Sequence, residues 1–245
     1  MNKLLFIVIA LLLFIFQCQG QHHAIGAKGG LLIGTQKNKR ALFSYHTDIF
    51  FEGMGKWQGE NLQRRIGYLI QFGYHRRGAS YNSGMFNINN STNYIASDIF
   101  HNFSLALLLK GNFKLGVFLP YYGAGIRLDI TPPNNGTIQF AEVINPLDAQ
   151  GVQGATLGLW LGGGIEWEPP KSPFGMFLEL NISPDLTPQI FFAAGTQVAY
   201  PNFQNPNNIQ IQQMTQDYRI INLSIEVSFG FKFLFRKNKN PNQNL

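Results

Sequence analysis

Cysteine is almost missing from this chain of 245 residues: Cys18 stands alone. It lies in an amino-terminal segment that reads as an export signal, with Lys3 as the basic region, residues 4–16 as an apolar region and residues 17–20 as a polar cleavage region ending at Gly20. The mature chain is therefore expected to carry no thiol, and a disulfide framework is excluded. A lipoprotein acylated at Cys18 is the competing reading; Gln17, where a small residue belongs, argues against it.

Long apolar runs are scarce too. The run at 4–16 falls short of the roughly 20 residues a spanning helix needs, and no other segment approaches that length, so no transmembrane helix is expected. Charge is sparse as well. Only 13% of residues are charged, against 14% aromatic, and the charges are mostly basic, with a net charge of +6 and a pI near 9.4. Such a balance can signal nucleic acid. An exported chain with no basic helix and no nucleic-acid motif meets anionic lipid head groups first, and nucleic acid is discarded as a partner.

What the chain does have is alternation. Along residues 218–235 the side chains Ile221, Leu223, Ile225, Val227, Phe229, Phe231, Phe233 and Phe235 share one parity, while Asn222, Ser224, Glu226, Ser228, Gly230 and Lys232 share the other. Because side chains alternate faces along a strand, this is a ribbon with one greasy and one wet side, the dyad pattern of a barrel spanning an outer membrane. The same rhythm recurs at 24–35, 41–52, 62–77, 98–110, 113–130, 155–168 and 174–183, with turn-rich stretches between. The fold expected is all-β, an eight-stranded antiparallel transmembrane up-and-down β-barrel. A signal at 1–20 precedes a barrel at 21–235, and a polar periplasmic tail fills 236–245.

One segment breaks parity. In 113–130 the odd positions are apolar up to Tyr121, after which Ala124, Ile126, Leu128 and Ile130 take over, with Pro120 at the changeover. A bulge is expected at 120–123, since proline cannot donate to the ladder. Gly111 and Asn112 are expected to form the tight hairpin that precedes this strand. Connection lengths supply orientation. The inner turns at 53–61, 111–112 and 169–173 are mostly short, and the outer connections at 36–40, 78–97, 131–154 and 184–217 are mostly long and rich in Asn, Gln and Pro. Ile190, Phe191 and Phe192 are expected to prolong the seventh strand as an apolar edge for protein contact.

A lipocalin-like barrel of the same strand number would place its apolar face inward, but so small an interior cannot hold eight large apolar groups from one strand and similar sets from the others. The small and polar faces belong inside. The lumen is then expected to hold Lys28, Asp48, Arg65, His75, Lys110, Glu166, Glu179 and Glu226 as a pairing network, because an isolated buried charge is expensive. Such a lumen is a plug, which excludes a general diffusion porin. Trp160 reads as filler among glycines, and Trp167, Phe174, Phe51 and Tyr74 as an interfacial girdle.

Features spread over nearly the whole mature chain resemble the small outer-membrane β-barrel proteins common in Bacteroidetes, the PorT-like domain. They are the glycine-spaced first strand from Gly26 to Gly34, the GYHRRG segment ending at Gly78, the Gly162-Gly163-Gly164 strand before a proline turn, and the aromatic-rich last strand. The resemblance implies a fold and an outer-membrane compartment, and no particular activity. The residues that follow Phe235 are a departure, since such barrels often end on an aromatic.

Candidate chemistry is thin. His75, Ser80 and Asp98 have the residue types of a rim hydrolase acting on lipid, but no spacing that pairs nucleophile with base, so no catalytic residues are assigned. His22 and His23 lack further ligands, and neither a metal nor a cofactor is assigned. Lys37, Lys39 and Arg40 in the first outer connection and Arg76 and Arg77 at the outer end of the third strand form a basic rim suited to phosphates of outer-leaflet lipid, lipopolysaccharide included. The expected partners are that lipid and an envelope protein. The chain reads as a non-enzymatic surface barrel, with an accessory envelope or secretion subunit, or a lipid-modifying enzyme, as alternatives.

Overall fold

The computed structural model describes residues 22–37, 39–59, 62–87, 90–133, 141–142, 150–170, 172–201 and 209–236. The export signal, Cys18 and the tail beyond Arg236 lie outside them. The strands are β1 (His22–Gln36), β2 (Arg40–Met54), β3 (Arg64–Asn87), β4 (Asn90–Phe113), β5 (Phe118–Ile130), β6 (Ala141–Glu142), β7 (Ala155–Trp167), β8 (Phe174–Pro184), β9 (Ile190–Phe192), β10 (Gln197–Pro201), β11 (Ile209–Gln213), β12 (Tyr218–Ile220) and β13 (Asn222–Arg236). No helix among the described residues is long and apolar enough to cross a membrane.

Eight strands close into a barrel in the order β3-β2-β1-β13-β8-β7-β5-β4, with β4 returning to β3 and every neighbour antiparallel. Closure follows from chemistry: in lipid a strand edge would leave unpaired backbone groups, and only a closed sheet removes it. The alternation in sequence becomes inside and outside. Phe229 is 49% exposed on the perimeter, and Ser224 is wholly buried in the lumen. Leu157 and Leu161 face out on the side that carries Leu159, while Thr156 faces in. Exposed phenylalanines, leucines and isoleucines thus form a continuous apolar perimeter. Aromatic pairs stand toward both ends of it, Phe51 with Tyr68 and Phe174 with Phe233 near the chain termini, Tyr45 with Tyr74 toward the far end.

Several expectations need correction. The ladder on either side of β5 runs without a register shift, from Phe118↔Trp167 to Ile130↔Ala155 and from Asn112↔Tyr121 to Phe103↔Ile130, so there is no bulge at 120–123. The parity change in sequence has another cause: Leu119 and Tyr121 point inward, into an apolar layer of the lumen, and the even positions face out along the whole strand. The one irregularity in pairing sits between Ala41 and His46 on β2, where the Ser44 hydroxyl donates to the Arg76 carbonyl. The hairpin before β5 also lies later than Gly111 and Asn112, which belong to β4. Its turn is 114–117, with Gly116 at φ 66°, a left-handed conformation that a side chain would strain.

The far end, opposite the chain termini, is more ordered than its composition suggests. Residues 78–97 are mostly strand, because β3 and β4 continue as one paired hairpin from Arg64↔Phe113 to Asn87↔Asn90. Past the lipid both faces of a strand are wet, so alternation disappears from the sequence while backbone pairing persists. Between β8 and β13, β9 pairs with β12 and β10 with β11. The segment Ile190–Phe192 is therefore a separate strand and not a prolongation of β8. Nor is it a sticky edge, since Ile190 and Phe192 are buried with Phe100, Val198, Met214 and Ile220 in a small apolar core. There the Ala194 amide and the Arg219 guanidinium hold the exposed Asp217 carboxyl below the usual carboxylate range.

Candidate functional site

The lumen is built from the inward parity of every barrel strand. Its eight sequence-chosen residues, Lys28, Asp48, Arg65, His75, Lys110, Glu166, Glu179 and Glu226, are all buried. They stand in separate groups along the axis. Nearest the termini, Lys110 contacts Glu52 at 2.6 Å and also Glu166. Lys232 contacts Glu166 at 2.9 Å and Glu168 at 2.7 Å, and Arg65 contacts Glu168 at 3.0 Å. Asn112 donates to Glu166 at 2.6 Å. Above this group Lys28 pairs with Glu179, which also accepts from the Tyr121 hydroxyl at 2.7 Å.

An apolar layer shares this level: Phe50, Leu69, Ala106, Leu108, Trp160 and Phe177 pack together, Phe50 and Phe177 edge to face. Trp160 does fill the space that the glycines leave. At this level the cavity lined by Phe50, Leu69, Lys110 and Glu166 among others is about 10 Å³. That is at most room for one water.

Two further groups lie toward the far end. His46, Asp48, His75 and Glu226 are linked by contacts of 2.8–3.4 Å. Beyond them Arg77 reaches Asp129 at 2.7 Å and Asp185 at 2.8 Å, while Arg127 reaches the same two carboxylates at 2.9 and 2.7 Å. Glu52, Asp129, Asp185, Arg127 and Lys232 were absent from the sequence-chosen set. Lys232 and Glu52 carried a usable signal, since each has the wet parity of its strand. Arg127 and Asp129 carried the same signal, since they alternate with the apolar Ile126, Leu128 and Ile130, whereas Asp185 follows the end of a strand, where parity says nothing.

The basic rim is smaller than its sequence suggests. Lys37 and Arg40 are exposed and Arg76 is half-buried. Lys39 contacts Asp98 at 2.5 Å. Arg77 is not on the rim at all, because β3 alternates and turns it inward to complete exposure-free burial among carboxylates. The hydrolase constellation is not assembled either: His75 contacts Asp48, the Ser80 hydroxyl lies 2.9 Å from that of Ser97, and Asp98 holds Lys39. His22 and His23 sit at the start of β1, where the His23 ring stacks on Phe51.

No protein-family model matches the chain, and no curated protein is similar to it. Among solved structures, the N-terminal β-barrel domain of Pseudomonas aeruginosa OprF is 9% identical over 88% of this chain and 98% of that one, with a TM-score of 0.40. Neisserial surface protein A is 11% identical over 87% and 97%, with a TM-score of 0.41. Ail, the attachment invasion locus protein of Yersinia pestis, is 8% identical over 87% and 99%, with a TM-score of 0.34. On its own geometry, an apolar perimeter around a filled polar interior in a closed eight-stranded sheet, the chain is a transmembrane β-barrel of the outer-membrane type.

Proposed function

We propose that this is a non-enzymatic outer-membrane barrel whose interior is a structural plug and whose far end, facing out of the cell, presents its connections to lipid or protein at the surface. The single observation that supports this reading is the constriction of the lumen: a cavity of about 260 Å³ opens beside Arg65 and Glu168, but at the level of Phe50, Lys110 and Glu166 about 10 Å³ is left, which closes the way to a dissolved solute and leaves the far end as the surface to act. The PorT-like resemblance read from the sequence is part of this proposal and bears on fold and compartment alone. Reconstituted into planar bilayers, the protein is expected to give no steady ohmic current. A persistent porin-sized conductance would overturn the plug.

Outer-leaflet lipid is the first partner proposed, through Lys37, Arg40 and Arg76, whose cationic groups suit charge-assisted hydrogen bonds to phosphate. The triple variant Lys37→Gln, Arg40→Gln, Arg76→Gln is expected to weaken binding of immobilised lipopolysaccharide about tenfold and to reduce its salt dependence. Unchanged binding removes the rim from the proposal. A second reading, an accessory subunit of an envelope complex, is favoured by β11, where Ile209 and Ile211 are 66% and 70% exposed on a strand beyond the barrel wall. Co-purification of a stoichiometric envelope protein from mild detergent, lost when both are changed to Asn, selects that reading.

A further inference from the structure

Charge is balanced group by group along the lumen, with one exception. Among the described residues, Arg65, Lys110 and Lys232 meet Glu52, Glu166 and Glu168; Lys28 meets Glu179; Arg77 and Arg127 meet Asp129 and Asp185. Asp48 and Glu226 are left over. Neither has a lysine or arginine nitrogen within ion-pair distance, and the only partners of that kind are His46 and His75. Two buried anions therefore face two imidazoles, and the balancing positive charge comes either from two imidazolium protons or from a bound cation.

The hydrogen bonding shows where that charge belongs. His46 Nδ1 lies 2.9 Å from one oxygen of Asp48, and His75 Nε2 lies 2.8 Å from the other. The second nitrogen of each ring also has a partner on its outer side: His46 Nε2 is 3.0 Å from the Ser228 hydroxyl, and His75 Nδ1 is 3.4 Å from Glu226 Oε1. His75 Nδ1 and Glu226 Oε1 are both buried without a hydrogen bond, so a neutral His75 protonated only toward Asp48 would set a lone pair against the Glu226 carboxylate, and only the imidazolium or the Nδ1–H tautomer avoids this. The Nε2–H tautomer of His46 and the Nδ1–H tautomer of His75 fit as well, provided a cation replaces the two inner protons. His75 Nδ1–H then donates to Glu226, His46 Nε2–H donates to Ser228, and two imidazole lone pairs face the Asp48 carboxylate at one point of the lumen.

We propose that this point binds a divalent first-row metal ion of the zinc class, with His46 Nδ1, His75 Nε2 and Asp48 as ligands. Their ligand atoms lie within 4.8 Å of one another. A tetrahedral ion at about 2.0–2.1 Å from each would separate them by about 3.3 Å, so the two contacts to Asp48, which reach different oxygens at 2.9 and 2.8 Å, open by a few tenths of an ångström while the two imidazole nitrogens settle to that separation from within 4.8 Å. Imidazole and carboxylate together favour zinc, nickel or cobalt over magnesium or calcium. Glu226 and Ser228 occupy the outer positions that orient ligating histidines and set their tautomers. The two positive charges of the ion match the two unpaired carboxylates. Gly73, opposite Asp48 in the β2–β3 ladder, makes the cradle possible: a Cβ there would stand 2.0 Å from Asp48 Oδ1.

Untagged full-length mature barrel, refolded with Zn²⁺ and then passed over a desalting column, tests this. The folded, heat-modifiable form is expected to retain one equivalent of zinc, and Co²⁺ in its place is expected to give the intense visible absorption of a tetrahedral site. Asp48→Asn and His75→Gln should each abolish retention, Glu226→Gln should weaken it about 10–100-fold, and a His22→Ala, His23→Ala variant should retain zinc like the wild type. Folded wild type that retains less than about a tenth of an equivalent overturns the site, as does retention indifferent to Asp48 and His75 or lost with His22 and His23. Should Asp48→Asn fail to fold, the wild-type cobalt spectrum decides, since octahedral or absent bands contradict the assignment. The outcome is independent of what the far-end connections bind.

Discussion

Changing Asp185 to alanine is expected to destabilise the folded barrel by about 3–5 kcal/mol, the loss that accompanies stranding a buried charge. Arg77 and Arg127 both donate to the same Asp185 oxygen, at 2.8 and 2.7 Å, and both are all but fully buried. Removing that oxygen leaves two guanidinium groups to share Asp129. Neither can relieve the strain by losing its proton, because guanidinium stays charged in proteins. The variant Arg127→Met, Asp185→Ala restores the one-to-one count and should lose clearly less than its two single changes added together, since the residues belong to one network. Urea unfolding in lipid vesicles, followed by the electrophoretic shift of the folded form, measures both. A loss below about 1 kcal/mol for Asp185→Ala would show that the quartet is hydrated rather than dry.

Arginine at position 229 is the second large effect. Phe229 stands midway along β13, opposite Gly29 on one side and Leu178 on the other, with its ring out toward lipid. A cation on the lipid face near the bilayer midplane costs about 2–4 kcal/mol, and near the interface about 0–1 kcal/mol. Phe229→Arg should therefore approach the larger value, and Phe235→Arg, six positions nearer the chain terminus on the same face, the smaller one. Equal effects at the two positions would contradict the placement of the membrane around the middle of the strand.

Where lipid touches a strand, sequence is a direct record of the fold. β13 could be read residue by residue because hydrocarbon demands a greasy side chain at every second position and the lumen demands the opposite. β5 shows the limit of that rule. A small lumen also needs some apolar bulk, so Leu119 and Tyr121 took the inner parity and imitated a change of face. Beyond the bilayer the constraint lapses, which is why the hairpin of β3 and β4 and the pairs β9–β12 and β10–β11 left no alternation to find. The lumen charges were legible as a class and illegible as partners. Parity says that Lys28 and Glu179 share a cavity, but only the order of strands around the barrel sets β1 and β8 on either side of β13, close enough for the two to meet. Arg77 fails for a simpler reason: adjacent Arg76 and Arg77 look like one basic cluster until the pleat sends them in opposite directions.

The seam between β1 and β13 runs the full length of both, from His22↔Arg236 to Gln36↔Asn222. Its partners are the first and the last of the described strands, so the cylinder cannot shut until β13 has reached β1. Until that moment the leading ribbon has a naked flank, open to mispairing with another copy. Assembly is therefore governed by a late, long-range event. Its vulnerable interval lasts until the last ribbon meets the first.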